Sequence, residues 1–146
     1  MKRICVIDGQ GGGIGSTIVR KVKAVFGEGV EVVALGTNAL ATAQMLKARA
    51  NRGASGENAI RRTVPGADVI LGPIGIVMAH ALMGEVTPAM AEAVAASPAP
   101  KLLLPLSQEN VAVIGVSGLP LPKLVDEMIA THLSRLIEAT PRRTGD

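Results

Sequence analysis

Short apolar runs alternate with segments of helical periodicity along this chain of 146 residues. Four runs have the length and composition of buried strands, and they lie at 3–8, 30–36, 67–72 and 101–106. A fifth run, "VAVIGVS" at 111–117, follows after a link of four residues, "SQEN". Because these runs are nearly all apolar, they suit a sheet that is covered on both faces.

The segments between the strands predict helices from the spacing of their apolar side chains. The first helix begins near Ile14 and runs to Phe26, and the second is capped by Asn38 and runs to about Ala50. Three more are predicted from Gly56 to Arg62 with Ser55 as the cap, from Pro88 to about Ala96, and from about Pro122 to Ala139.

This order of elements predicts an α/β fold: a single Rossmann-like three-layer domain with about five mostly parallel strands. The first and third strands are expected at the centre of the sheet. The short link before the fifth strand leaves two arrangements open, an antiparallel hairpin or an edge position for one strand. We place the domain at 1–140 and expect a flexible tail at 141–146.

Composition narrows the classes of partner. The chain has one Phe, no Tyr and no Trp, and its net charge is +3. It contains no basic stripe with interleaved aromatic residues, so nucleic acid is not expected as a partner. Its apolar and alanine-rich helical faces predict a homo-oligomer, in the simplest case a homodimer.

The apolar residues do not form a targeting or membrane segment. The start "MKRICVIDG" resembles a signal peptide, but Asp8 and the glycines end its apolar run too early. The charge-free stretch 69–84 is too short and too interrupted to cross a membrane. The single cysteine, Cys5, is predicted to be a buried structural thiol in a reducing compartment. We therefore expect a cytoplasmic protein.

The most informative motif is "VIDGQGGGIGST" at 6–17, where five glycines fall within seven positions between a strand and a helix. Such a loop turns backbone N–H groups and the positive end of a helix dipole toward an anion. A plain glycine-rich turn is the alternative, and the number of glycines favours a phosphate site. The predicted cofactor-binding residues are Gly9, Gln10, Gly11, Gly12, Gly13, Ile14 and Gly15, with the hydroxyls of Ser16 and Thr17 as further donors.

Two common phosphate-binding spacings do not fit this loop. The spacing G-x-G-x-x-G would need glycine where Ile14 or Ser16 stands. The P-loop spacing can be aligned on Gly15 and Thr17, but Gln10 then replaces its first glycine and Ser16 its lysine. Without that lysine, ATP hydrolysis is not expected.

The spacing Gly9-x-x-x-Gly13-Ile14-Gly15 resembles the cofactor loop of the short-chain dehydrogenase/reductase family. The run "DVILGPIGI" at 68–76 resembles the family's strand beneath the adenine and ribose, with Gly72 and Pro73 where two asparagines would stand. This resemblance implies NAD or NADP as cofactor, with another nucleotide as the alternative. The family's catalytic Tyr-x-x-x-Lys is excluded because the chain has no tyrosine.

The whole chain also resembles a small bacterial family of short proteins known only as a domain of unknown function. The phrases "DGQGGGIG", "NRGASGENAI" and "MGEVTPAMAEAV" carry this resemblance. It implies a Rossmann-like fold and no known activity.

Polar residues follow the predicted strands at their carboxyl ends, where open α/β sheets bind ligands. The acidic residue expected after the second strand is missing, so Thr37 and Asn38 are the candidates to bind a ribose or a 2′-phosphate. Gly72 and Pro73 are expected to form the floor beneath the ligand. Asp8 either contacts a ligand hydroxyl or metal, or accepts hydrogen bonds from the loop, which is the favoured interpretation.

One further segment and one histidine carry candidate residues. The segment Asn51–Ile60, with Arg61 and Arg62 nearby, is either a mobile loop that closes over a phosphate or a surface turn. His80 is predicted to be a packed side chain, and no metal site is expected.

Two functions remain open. One is a protein that binds a nucleotide or dinucleotide phosphate without catalytic machinery of its own, as a sensor or a subunit. The other is a small NAD(P)-dependent oxidoreductase or a nucleotide-using transferase, whose polar machinery would come from Asp8, Asn38, His80 or Glu109.

Overall fold

Five parallel strands form one sheet, in the order β3-β2-β1-β4-β5, in a computed structural model that describes residues 1–106, 109–116 and 118–139. The strands are β1 (Lys2–Asp8), β2 (Val30–Gly36), β3 (Arg52–Ser55), β4 (Val69–Pro73) and β5 (Lys101–Leu104). The helices are α1 (Gly13–Phe26), α2 (Ala39–Lys47), α3 (Glu57–Thr63), α4 (Pro88–Ala96), α5 (Leu121–Glu127) and α6 (Ser134–Ala139), and a π-helical segment, Met128–Leu133, joins the last two.

The central strand β1 divides the apolar core into two layers. Its side chains alternate, so that Ile4 and Val6 pack with α1, α2 and α5 on one face of the sheet. Cys5 and Ile7 pack with α3 and α4 on the other face. The prediction that Cys5 is buried is confirmed, and burial raises the pKa of its thiol to about 12.

The predicted α/β class is confirmed, with one sheet of five strands and helices on both faces. All strand pairs are parallel. The hairpin arrangement is wrong because residues 111–116 form no strand, and the alternative, an edge position for one strand, is found for β5. The strand β1 lies at the centre, and β4, the third strand predicted from the sequence, is its immediate neighbour.

The identity of one strand differs from the prediction. Residues 111–116 of "VAVIGVS" form no strand, and residue 117 lies outside the described residues. The fifth strand of the sheet is instead β3. It pairs with β2 and lies within the stretch that the sequence predicts to be a loop or turn. Its Gly53 allows this, because a Cβ there would stand 2.8 Å from the Thr42 methyl group of α2. Backbone pairing and close approach thus outweigh low strand propensity.

Two predicted helix ends also move. The helix α2 ends at Lys47, and Arg49 then takes a left-handed backbone with φ 84°. Ser55 is not the cap of α3, since it ends β3 and its hydroxyl lies 2.6 Å from the Thr42 hydroxyl. The cap of α3 is Gly56, whose φ of 97° suits glycine.

Two expectations concern the limits of the domain. The proposed tail at 141–146 lies outside the described residues. Within the described part of the chain, no helix is long and apolar enough to cross a membrane.

Candidate functional site

The glycine loop, Gly9–Gly15, follows the carboxyl end of β1. The carboxylate of Asp8, the last residue of β1, binds both ends of this loop. Its Oδ1 accepts a hydrogen bond from the Gly9 N–H at 2.8 Å, and its Oδ2 accepts one from the Gly15 N–H at 2.6 Å. Since Gly15 lies in the first turn of α1, the carboxylate ties the strand end to the helix start. The interpretation of Asp8 as an acceptor for the loop is therefore confirmed.

Asp8 sits in a low-dielectric position, with 4% of its surface exposed. Burial raises its pKa above the ordinary value, while the two backbone hydrogen bonds act to lower it. The Glu85 carboxylate nearby adds a further effect that raises the pKa.

A second carboxylate, Glu85, reaches the loop from the turn that precedes α4. Its Oε1 accepts hydrogen bonds from the Gln10 N–H at 2.8 Å, the Thr37 hydroxyl at 2.7 Å and the Asn38 amide at 2.7 Å. Its other oxygen, Oε2, receives no hydrogen bond from the described residues. One oxygen of Glu85 is thus saturated, and the other remains able to accept.

The turn that carries Glu85 has an unusual backbone. Three non-glycine residues, His80, Leu82 and Met83, have φ between 55° and 70°. Hydrogen bonds hold the turn, including one from the His80 N–H to the Val86 carbonyl at 2.7 Å. The Leu82 N–H donates to the Glu109 carboxylate at 2.9 Å. Such backbone positions persist only where surrounding contacts determine them, and here they place Glu85 at the loop.

Glu85 supplies the acidic group that the sequence lacks after β2. Burial acts to raise its pKa, but the hydrogen bonds from Thr37, Gln10 and Asn38 outweigh burial and hold the pKa below the ordinary value. The site therefore carries a carboxylate beside Thr37 and Asn38. The sequence does not reveal this carboxylate, because Glu85 is distant along the chain and left-handed residues such as Leu82 have no sequence signature.

Three glycines of the loop are required by the protein's own packing. A Cβ at Gly9 would stand 2.5 Å from the Thr37 hydroxyl oxygen, and one at Gly15 would stand 2.7 Å from both the Asp8 Cβ and the Met45 sulfur. Gly12 has φ 75°, and a Cβ there would stand 2.9 Å from the Ala41 backbone. These positions face inward, toward β2 and α2.

The other two glycines, Gly11 and Gly13, face outward, and packing does not require glycine at either position. A Cβ at Gly11 or Gly13 would meet nothing within 4 Å among the described residues, and neither has a left-handed φ. In the same part of the chain, the N–H groups of Gly11, Gly13 and Ile14 find no acceptor. The first N–H groups of a helix have no partner within it, so these donors are open to solvent or to a ligand.

The predicted seven-residue phosphate site therefore divides into two sides. The N–H groups of Gly9, Gln10 and Gly15 are used inside the protein, by Asp8 and Glu85. The hydroxyls of Ser16 and Thr17 both donate to the Gly13 carbonyl, so their predicted role as free donors is wrong.

The remaining predicted ligand contacts lie close to the loop. Asn38 caps α2 by accepting from the Ala41 N–H at 2.8 Å, as predicted, and its amide also donates to the Gln10 carbonyl at 3.0 Å. Gly72 and Pro73 end β4 in buried positions, beside the end of β1. Their role as a floor beneath a ligand stays a prediction.

Other candidates lie elsewhere or are engaged. His80 is exposed rather than packed, so that prediction is wrong. Arg52 binds the Glu31 carboxylate at 2.6 Å on the β3 side, and its segment is a strand rather than a closing loop or a turn. No group of three His, Cys, Asp or Glu residues in the described ranges could hold a metal.

A cavity lies away from the glycine loop. It measures about 550 Å³ and is formed by β5, the turn at Gly115 and Val116, and the helical segment that contains Leu124, Met128 and His132. The glycine loop instead forms an open surface at the carboxyl edge of the sheet.

The chain belongs to the family Domain of unknown function (DUF3842), whose model matches residues 3–137. This agrees with the resemblance of the whole chain to a family of unknown function. No curated protein matches the chain. A similar solved structure is the dodecameric FMN-dependent UbiX-like decarboxylase from Escherichia coli O157:H7, with 18% identity, 93% of this chain and 76% of that chain covered, and a TM-score of 0.45. None of these findings supports the resemblance to short-chain dehydrogenases/reductases.

Proposed function

We propose that the outward side of the glycine loop binds the phosphate of a nucleotide or dinucleotide, and that the protein acts by binding rather than by catalysis. The observation that carries the proposal is the pair Gly11 and Gly13. Neither the backbone conformation nor the packing of the described residues requires glycine at either position. Where the backbone accepts a side chain without strain, glycine costs about 0.4–1 kcal/mol relative to alanine through the entropy of the unfolded chain, so these two glycines need another reason.

A phosphate supplies that reason. The N–H groups of Gly11, Gly13 and Ile14 lie at the positive end of the α1 dipole, and a side chain at Gly11 or Gly13 would crowd an approaching anion. Each contact of this kind contributes only about 0.3–1 kcal/mol when exposed. The affinity must therefore come from several contacts together and from burial of the base.

Glu85 supports a particular kind of ligand. Its open Oε2 lies beside the end of β2, where dinucleotide-binding folds place an acidic group that accepts from a ribose hydroxyl. A 2′-phosphate at this place would meet a carboxylate and be repelled. We therefore propose a ligand with free ribose hydroxyls, so that NAD is favoured over NADP.

The alternative function as an oxidoreductase or transferase has less support. Both oxygens of Asp8 already accept from the loop. His80 is exposed on a turn, and Glu109 accepts from the backbone of Leu82. Catalysis requires an acid or base within reach of the ligand, and of these candidates none is free beside Gly11 and Gly13.

Thermal shift and calorimetric titration with NAD, NADP, AMP, ATP, FAD and coenzyme A test the proposal. We expect at least one of these ligands to raise the melting temperature of the protein. The variant Gly13→Val should fold and lose this shift, because its side chain would occupy the anion position.

Gly29→Val is the matched control, since Gly29 also has open space around it and no left-handed φ but lies away from the loop. It should keep the shift. The absence of a shift with every ligand, or a shift that Gly13→Val retains in full, would contradict the proposal.

A further inference from the structure

The strand β5 is an edge strand with one open side. It pairs with β4 from Lys101 to Leu104, and no described residue pairs with its other side. An open edge presents unpaired N–H and C=O groups to any other strand. We call this side the β5 edge.

Edge strands are usually protected by a charged side chain, and the β5 edge lacks this protection. Lys101 is the only charged residue of β5, and its ammonium group donates to the Ser97 carbonyl at 2.6 Å and to the Ala99 carbonyl at 3.1 Å. Because of these hydrogen bonds, the Lys101 charge lies against the preceding residues of its own chain and not along the open side of β5. The rest of the strand is leucine, so the β5 edge is left apolar.

A segment with strand-forming sequence lies exposed nearby. Residues 110–116, "NVAVIGV", contain no ionisable side chain, and every one of them is exposed. Ile114 is 91% exposed and Val111 is 50% exposed. β-branched residues favour strands, and a contiguous exposed apolar run of this kind marks an interaction surface. We call this run the exposed segment.

The exposed segment and the β5 edge meet at the cavity of about 550 Å³ described above. Gly115 and Val116 line it together with Lys101–Pro105. The opposite wall is mixed, with Leu124 and Met128 beside Glu127 and His132. The chain thus carries, on one surface, a strand edge that no described residue pairs with, a groove, and an exposed strand-forming run.

We propose that the exposed segment of a second copy adds as a strand to the β5 edge, and that the exchange is reciprocal across a two-fold axis. A two-fold interface needs a donor and an acceptor on the same surface of one chain, which is the arrangement found here. The exposed segment carries no charge, so it adds no repulsion of its own between two copies of a chain with net charge +3. This proposal does not depend on the ligand proposed for the glycine loop.

The oligomeric state of the full chain tests the proposal, measured by light scattering coupled to gel filtration. We expect a dimer, or a larger assembly built of dimers, for the unmodified protein. Val113→Pro and Ile114→Lys should each yield monomers with unchanged circular dichroism, because one blocks backbone pairing and the other puts a charge into the interface.

Leu40→Lys is the matched control, because Leu40 is 58% exposed on α2, away from this surface. It should assemble as the unmodified protein does. A strictly monomeric unmodified protein, or a Val113→Pro variant that still assembles, would overturn the proposal.

Cysteine crosslinking distinguishes a second copy from the same chain. One tagged chain carries Leu103→Cys and a differently tagged chain carries Val113→Cys, and the two are mixed under a mild oxidant. The native Cys5 is buried and does not compete. A disulfide between the two tags is expected. A disulfide found only within a chain that carries both substitutions would show that the exposed segment covers its own edge.

Discussion

The glycine loop and the β5 edge differ in how many of their groups have partners within the protein. At the glycine loop, Asp8 and Glu85 collect hydrogen bonds from three elements. No buried side-chain nitrogen or oxygen in the described residues lacks a partner. At the β5 edge, one side of the strand's backbone pairs with no described residue, and the apolar side chains of the exposed segment lie exposed beside it. At the glycine loop, only a few outward N–H groups lack a hydrogen-bond partner among the described residues, and these suit an anion. At the β5 edge, one side of a whole strand lacks such partners, and this suits another chain.

The two edges of the sheet extend this comparison. At the β3 edge, Arg52 is 62% exposed along its side chain and forms an ion pair with Glu31. Charge at an edge opposes strand addition. The β5 edge has its one charge turned away, so we expect association at β5 and not at β3.

The largest effect is expected from Gly12→Ala within the glycine loop. A left-handed backbone with a side chain costs about 1–2 kcal/mol and crowding against Ala41 about 1–3 kcal/mol, so we expect a loss of about 2–5 kcal/mol in the free energy of unfolding. Chemical denaturation measures it. Gly13→Ala is the control and should be neutral or slightly stabilising, because its Cβ meets only open space. Equal losses in both variants would remove the distinction between inward and outward glycines.

A smaller loss is expected from Asp8→Asn. An amide presents one acceptor in place of two, so one of the hydrogen bonds from Gly9 and Gly15 is lost, which costs about 1.5–3 kcal/mol. Asp126→Asn is the matched control, since the ion pair of Asp126 with Lys21 is exposed to solvent. If denaturation shows the two variants to be alike, Asp8 does not hold the loop.

The two carboxylates should respond to pH in opposite directions. The folded-state pKa of Asp8 lies above its ordinary 3.8, so as pH falls the folded protein takes up this proton before the unfolded chain does. The stability of the unmodified protein relative to Asp8→Asn therefore rises as pH falls. Glu85 has a folded-state pKa below its ordinary 4.5, so its contribution is present above that value and is lost as pH falls through the folded pKa.

Unfolding free energies of the unmodified protein, Asp8→Asn and Glu85→Gln, measured from about pH 6 to about pH 3, check this. The difference in unfolding free energy between the unmodified protein and Glu85→Gln should shrink toward acid pH. The difference between the unmodified protein and Asp8→Asn should grow toward acid pH. Parallel slopes would mean that one carboxylate does not have the environment described here.

Much of the sheet follows from the sequence, because apolar runs such as Ile4–Ile7 admit only a strand covered on both faces. The strand β3 escapes prediction, since its pairing rests on Gly53 lying close to α2 and not on its own propensity. At the site, Asp8 and Asn38 were predicted because their partners are near in sequence. Glu85 was not, because tertiary contacts and left-handed residues bring it to Thr37 from 48 positions away.

The smallest effect is expected at the β3 edge, from Arg52→Ala. Arg52 donates to the Glu31 carboxylate at 2.6 Å, and this hydrogen bond is the main reason why the pKa of Glu31 lies below its ordinary value. Because Arg52 is well exposed, solvent screens the pair, and its removal should cost about 0–1 kcal/mol and less at high salt. Urea denaturation at low and high salt measures this, with the exposed Arg62→Ala on α3 as the control. A loss above about 2 kcal/mol would show that the pair anchors β3 to the sheet, rather than only placing charge at its edge.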